Sequence, residues 1–264
     1  MKVRIILLAA LACSFSASIF AQKPFDKPFQ KWNREDAQKI LNESPWIATY
    51  QSVEGMAAAD KQAMLTDQDS SNAARVGPRA TDGRAQAKSL SVPLITVRLH
   101  SSMVVRQALV RLQQITANYD KMDEAKRTAF DASTKDILDC PYCKNYYIVT
   151  MGKSVDPSHQ TVDEGLFQTI TAIQMKGMVW LVNESGVRSP LAQFLPPKTG
   201  SDPAIFFFPR RDTSGKELIA PDSKNFKIEF SGDFFTSKNP YAAIIPHSFE
   251  FDVAKLVHDN QLVF

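Results

Sequence analysis

The stretch that decides the fold is 135-KDILDCPYCKNYYIVTM-151, which places Cys140 and Cys143 three positions apart between two different kinds of pattern. Upstream, "DKMDEAKRTAFDASTKDILDC" (120–140) has helical spacing. Met122, Ala125, Ala129 and Ile137 fall on one face, and Asp120 stands where an N-cap would be. Downstream, "YYIVTM" (146–151) is aromatic and β-branched and reads as a strand. The order is therefore helix, cysteine pair, strand. A pair so placed lies at the negative end of a helix dipole, with Asp136 and Asp139 close in sequence and Lys144 as a partial counterweight. That setting predicts an oxidised, unreactive pair, because it disfavours the thiolate that exchange chemistry requires. Pro141 presets the turn that brings the two sulfurs together, so Cys140 and Cys143 are expected to form a disulfide.

Working outward, "VPLITVRLHSS" (92–102) alternates apolar Ile95, Val97 and Leu99 with Thr96 and Arg98, which predicts a strand. "SMVVRQALVRLQQITANY" (102–119) then carries Val104, Val105, Ala108, Leu109, Leu112 and Ile115 as a wide helical stripe. Nearer the start, "NREDAQKILNES" (33–44) predicts a short helix capped by Asn33, with Glu35 and Asp36 in its first turn. Trp32 and Trp46 flank it and are expected to pin it to the core. Beyond the cysteines, "VDEGLFQTITAIQM" (162–175) predicts a helix and "GMVWLVN" (177–183) a strand before the turn "ESGVR". "AIFFFP", "NFKIEF" and "SFEFDV" predict further strands, and a closing "LVF" a last short one. Phe226, Ile228 and Phe230 alternate with Lys227 and Glu229, the pattern of a half-buried antiparallel strand. "DTSGKE" and "FSGDF" read as turns. Helices early and strands late predict an α+β fold, with mostly antiparallel sheet from the later strands.

The chain begins "MKVRIILLAALACSFSASIFAQ", a short basic region followed by an apolar run ending in small residues. Residues 1–21 are expected to be a signal peptide, which makes the protein extracytoplasmic, periplasmic or secreted. Lipid anchoring at Cys13 is the less favoured alternative, because Ala10 stands where a lipobox usually has Leu. Loss of Lys2 and Arg4, from 31 basic residues against 28 acidic ones, leaves a net charge of about +1. No basic patch calls for nucleic acid, and no segment of the mature chain is long and apolar enough to span a bilayer. Residues 22–53 read as a Pro- and aromatic-rich lead-in with a short helix. Residues 54–91 hold no aromatic residue and predict a flexible loop of low hydrophobicity. Residues 92–264 predict a globular α+β domain.

Few residues point to chemistry. There is no Gly-x-Ser-x-Gly, no phosphate loop and no His-Glu-x-x-His. Arg210 and Arg211 in "FPRRD" could bind an anion, but a strand-end arginine pair is more often a solvated rim. Two thiolates at this spacing are half of a zinc site, yet His100, His159, His247 and His258 are not paired at ligand spacing, so no metal and no cofactor is expected.

Two resemblances bear on function. Cys-Pro-Tyr-Cys (140–143) resembles the active site of glutaredoxins, and "SDPAIFFFPRRDTSGKELI" (201–219) resembles the thioredoxin-superfamily segment in which a cis-proline opens a strand. That likeness implies a thiol–disulfide oxidoreductase with Cys140 and Cys143 at its centre and Pro203 facing them. It departs from the family because no strand precedes the pair, no helix follows it, and about sixty residues separate it from Pro203. Secondly, "WNREDAQKILNESPW" (32–46), "VRLHSSMVVRQA" (97–108) and "FFFPRRD" (206–212) resemble motifs of a group of uncharacterised exported bacterial proteins. This implies an exported soluble protein and carries no catalytic residue across. The expectation is a non-enzymatic binding or structural protein with an envelope or protein partner; the alternative is the oxidoreductase.

Overall fold

A computed structural model describes residues 27–51, 94–154, 167–200, 202–236, 242, 245–258, 261–262 and 264. The signal peptide, most of the expected loop over 54–91 and the first part of the helix expected over 162–175 lie outside the described residues.

Five α-helices are described: α1 (Arg34–Glu43), α2 (Met103–Thr116), α3 (Glu124–Asp139), α4 (Ala172–Met175) and α5 (Gly232–Thr236). Eleven strands accompany them. The first six are β1 (Ile47–Gln51), β2 (Leu94–Leu99), β3 (Tyr146–Ser154), β4 (Val179–Asn183), β5 (Arg188–Pro190) and β6 (Gln193–Leu195). The rest are β7 (Ala204–Pro209), β8 (Asn225–Phe230), β9 (Ser248–Asp252), β10 (Val257–His258) and β11 (Gln261–Leu262). One antiparallel sheet has the order β1-β2-β3-β7-β6 and the other β5-β4-β8-β9, while β10 and β11 make a small ribbon. The fold is α+β, with the long helices before residue 140 and most strands after it.

The two sheets share one core. The β2 residues Ile95, Val97 and Leu99, the β3 residues Tyr147, Val149 and Met151, and Phe206 and Phe208 of β7 enter the same cluster as Phe226, Ile228 and Phe230 of β8. Strict alternation makes this possible, since paired residues such as Val149 and Phe206 point to the same side of their sheet. Two rings from outside the strands fill the seam. Phe167 stacks on Phe230 at 6.1 Å and meets Phe206 edge-on at 5.6 Å. Phe264 lies between Tyr147, at 4.9 Å, and Phe226, at 5.1 Å. Both are almost fully buried.

Residues 27–51 belong to this core. Asn33 caps α1 by accepting the Asp36 amide at 2.8 Å, and Asp36 Oδ2 accepts the Asn33 amide at 3.0 Å, a reciprocal capping box. Trp32, Ala37, Ile40, Leu41 and Trp46 are buried in the main cluster, as the tryptophans and the helical stripe predict. β1, not anticipated from "IATYQ", pairs antiparallel with β2. The described residues 27–51 therefore share their core and a sheet with the later residues.

Four expectations need correction. The cap of α3 is Asp123, which accepts the Lys126 amide at 2.9 Å, whereas Asp120 sits in the preceding turn and pairs with Arg111 at 3.4 Å. Ala125 and Ala129 are exposed, and only Thr134 of α3 is buried. Of the helix expected over 162–175, the described part is one turn, α4, preceded by Phe167 at φ 67°. "FSGDF", read as a turn, contains the start of α5.

Candidate functional site: the cysteine corner

The last turn of α3 ends at Cys140, whose amide donates to the Asp136 carbonyl at 3.0 Å. Cys140 takes a left-handed conformation, φ 42° and ψ 71°, which reverses the chain as a helix C-cap does. Pro141–Lys144 then form one 3₁₀ turn, closed by the Cys143 amide donating to the Cys140 carbonyl at 2.9 Å. The sulfurs are joined, with the two Cα atoms 5.3 Å apart. β3 starts at Tyr146. The helix–pair–strand order read from the sequence is the order in the structure.

This corner covers the outer face of the first sheet. Cys140 packs on Ile148 and Phe207, with Tyr146 and Ile205 at the margin, as a cluster separate from the main core. Cys140 is 8% exposed. Tyr142, 63% exposed, sets its ring edge-on to Phe207 at 6.2 Å.

Arginines hold the corner from inside. Arg106, on α2, is 5% exposed and donates through Nη1 to the carbonyls of Leu138 and Ile137, so it caps the C-terminus of α3. Its Nη2 donates to the Ser101 carbonyl at 3.3 Å. Arg210, just after β7, donates through Nε to the Cys143 carbonyl and through Nη2 to the Phe264 oxygen, each at 2.6 Å. Its guanidinium also lies 4.3 Å from the Tyr147 ring centroid. Burial, followed by the charge of Arg210, lowers the pKa of Arg106. His100, at the end of β2, is pushed down to about 4, first by burial and then by the charge of Arg106. Ser101 completes the junction: its hydroxyl accepts the Ile148 amide, and its own amide donates to the Ile148 carbonyl at 3.1 Å.

The electrostatic expectation is thus half right. Asp136 and Asp139 are close in sequence but exposed, and Asp139 is 3.8 Å from Lys135. The groups facing the corner from the interior are cationic. Arg210, read as a solvated rim together with Arg211, is half-buried and ties three elements, whereas Arg211 is exposed and pairs with Glu217 at 3.2 Å. The available signal was the interruption of the α2 stripe. Arg106, Val110, Arg111 and Gln114 are buried, at spacings that mark a second inward face, while Val104, Leu109, Leu112 and Ile115 are half-buried.

The structure does not bring Pro203 to the cysteines. Pro203 lies beside Gly152 at the far end of β3, and β7 runs antiparallel to β3 with Met151 opposite Ala204 and Tyr146 opposite Pro209. Gly152 lies six residue steps along the strand from Tyr146, roughly 20 Å at the usual rise. No peptide bond among the described residues is cis. Of the four histidines, His100 is the residue after β2 and feels the charge of Arg106, and His247 packs on the Phe235 ring at 4.0 Å. His159 lies outside the described residues, as does the His258 side chain. Among the described residues no three His, Cys, Asp or Glu side chains gather into a metal-holding group.

Compared with protein families, with curated proteins and with solved structures, the chain matches none.

Proposed function

We propose that this protein is an extracytoplasmic binding or structural protein, not an enzyme, in which Cys140–Cys143 is a structural clasp. The observation that carries this reading is the placement of Cys140. It is the buried, left-handed C-cap of α3, and it clusters with Ile148 and Phe207. An attacking nucleophile has to present an accessible thiolate, usually at the start of a helix, and Cys140 has neither property. The disulfide suggests a non-reducing compartment, and the N-terminal sequence supports export to the periplasm or beyond. No helix among the described residues is long and apolar enough to cross a membrane.

One observation favours the second reading, a thiol–disulfide oxidoreductase. Arg106 and Arg210 bring positive charge to the corner, which would stabilise a thiolate once the pair is reduced. A glutathione redox titration of the purified protein, run beside an insulin-reduction assay, separates the two. The clasp gives a low reduction potential and no turnover, and the Cys140→Ser/Cys143→Ser double variant stays folded. Its stability falls by roughly 2 kcal/mol, since the closed loop is only four residues long. A potential in the range of exchange enzymes, with turnover lost in Cys140→Ser, would establish the oxidoreductase instead.

A further inference from the structure

The residues after β9 are joined to the core by a route that begins at the cysteine pair. β10 and β11 enter neither main sheet and, among the described residues, pair with each other. Phe264 follows, outside any strand, and its ring completes a column across both sheets. Tyr147 of β3 stacks on Phe264, Phe264 on Phe226 of β8, and Phe226 on Phe251 of β9, at 4.9, 5.1 and 5.2 Å. Three of these rings stand on paired strands, whereas Phe264 has no ladder to position it. Burial holds its ring without giving it a direction. The direction comes from Arg210, whose Nη2 donates to the Phe264 oxygen at 2.6 Å. The same guanidinium lies 4.3 Å from the centroid of Tyr147, the end ring of the column.

Arg210 is itself set by the cysteine turn. Its Nε donates to the Cys143 carbonyl at 2.6 Å, so one planar fork is held by that carbonyl at one nitrogen and by Phe264 at another. A rigid fork engaged at both nitrogens passes a rotation of one partner to the other. Two features that are weak on their own orient the Cys143 carbonyl. One is the single 3₁₀ turn Pro141–Lys144, a geometry with poor hydrogen bonds. The other is Cys140 at φ 42°, a left-handed conformation that a residue with a Cβ disfavours. The disulfide ties the two ends of this turn together, and opening it removes that tie.

We infer that the clasp is an oxidative latch for the residues after β9. Closing Cys140–Cys143 fixes the Cys143 carbonyl, Arg210 carries that constraint to Phe264, and the ring column then locks across both sheets. This rests on the reading of the pair as a structural clasp and names what it clasps. Closure joins the two sulfurs and removes two electrons and two protons, which pass to an external disulfide and reduce it to two thiols. The latch therefore stays open in a reducing compartment and closes in an oxidising one.

Hydrogen exchange read by mass spectrometry tests the latch on the whole protein, compared oxidised, reduced with a phosphine, and as the Cys140→Ser/Cys143→Ser variant. Opening the clasp should speed exchange in peptides spanning 256–264 by about tenfold, the ratio that matches loss of one charge-assisted hydrogen bond. β2 and β4, one in each sheet, should keep their rates. Arg210→Met should show the fast exchange already in its oxidised form, and reduction should then add nothing. Unchanged exchange over 256–264 in both the reduced protein and the double variant would overturn the inference and leave the clasp reading standing. A rise spread evenly over both sheets would also overturn it, as would a reduction effect of full size in Arg210→Met. Insulin turnover by the pair would remove the clasp reading, and the inference with it.

Discussion

The seam between the two sheets and the junction around the cysteines are held in opposite ways. In the seam, Phe167, Phe206 and Phe230 meet ring to ring, and so do Tyr147, Phe264 and Phe226. Burial of this kind is non-directional and roughly proportional to area. At the junction, the contacts are directional and mostly from guanidinium to main-chain carbonyl. Arg106 donates to the end of α3 and Arg210 to the Cys143 carbonyl, and away from the cysteines Arg98 donates in the same way to the Leu41 carbonyl near the end of α1 and Arg111 to the Trp32 carbonyl. Helices end with unmet carbonyls, and all four arginines meet carbonyls at the close of a helix or 3₁₀ turn, Trp32 being the C-cap of the turn Phe29–Lys31. The difference shows how one chain joins sheets and helices: area holds the strands together, whereas charge-assisted bonds hold the helix ends.

Truncating a seam ring should have the largest effect. Phe167→Ala is expected to cost about 3–5 kcal/mol, because the ring fills space between both sheets and the cavity cannot collapse onto two rigid surfaces. Urea unfolding followed by fluorescence measures it. A loss under 1 kcal/mol would mean that the sheets do not depend on this ring and would break the contrast.

Arg210 belongs to both regions, through the Tyr147 ring and the Cys143 carbonyl, so it sharpens the comparison. Arg210→Met should lower stability by about 2 kcal/mol, and Arg210→Lys should recover only part of it, because an ammonium cannot match the planar fork. Arg211→Met, at an exposed ion pair, should stay within about 0.5 kcal/mol. Similar losses at positions 210 and 211 would return Arg210 to the solvated rim that its sequence suggested.

The remaining expected effect is a dependence on pH centred on the junction. The pKa of His100 is about 4 in the folded protein against an ordinary 6.5, so between those values the unfolded chain binds the extra proton. Stability contributed by neutral His100 is therefore complete above pH 6.5 and is lost as pH falls toward 4, by at most about 1.4 kcal/mol per pH unit. His100→Asn should flatten this part of a stability profile taken between pH 7 and pH 5. An unchanged slope in the variant would place the proton elsewhere.

Much of the fold was legible in the sequence because burial leaves a period. The alternation of Phe226, Ile228 and Phe230 is the buried, half-buried alternation of β8, and the stripe of "NREDAQKILNES" is the buried face of α1. The order around Cys140 and Cys143 was legible for the same reason, since a helical period stops and a strand period begins at the pair. The sequence also marked Asn33 as a cap, because a local hydrogen bond needs only neighbours.

Tertiary structure alone decided which polar residues turn inward. Arg106 and Arg210 lie 104 positions apart, and both reach the cysteine corner because β7 returns antiparallel beside β3, which brings the end of one strand to the start of the other. Phe167 and Phe264 stand outside the strands, so no period announces the seam they fill. Pro203 has the right neighbours in sequence but lies at the wrong end of β7. Periodicity records which side of an element is buried. Contacts across the chain depend on register and strand order, and these are set by the packing of the whole core.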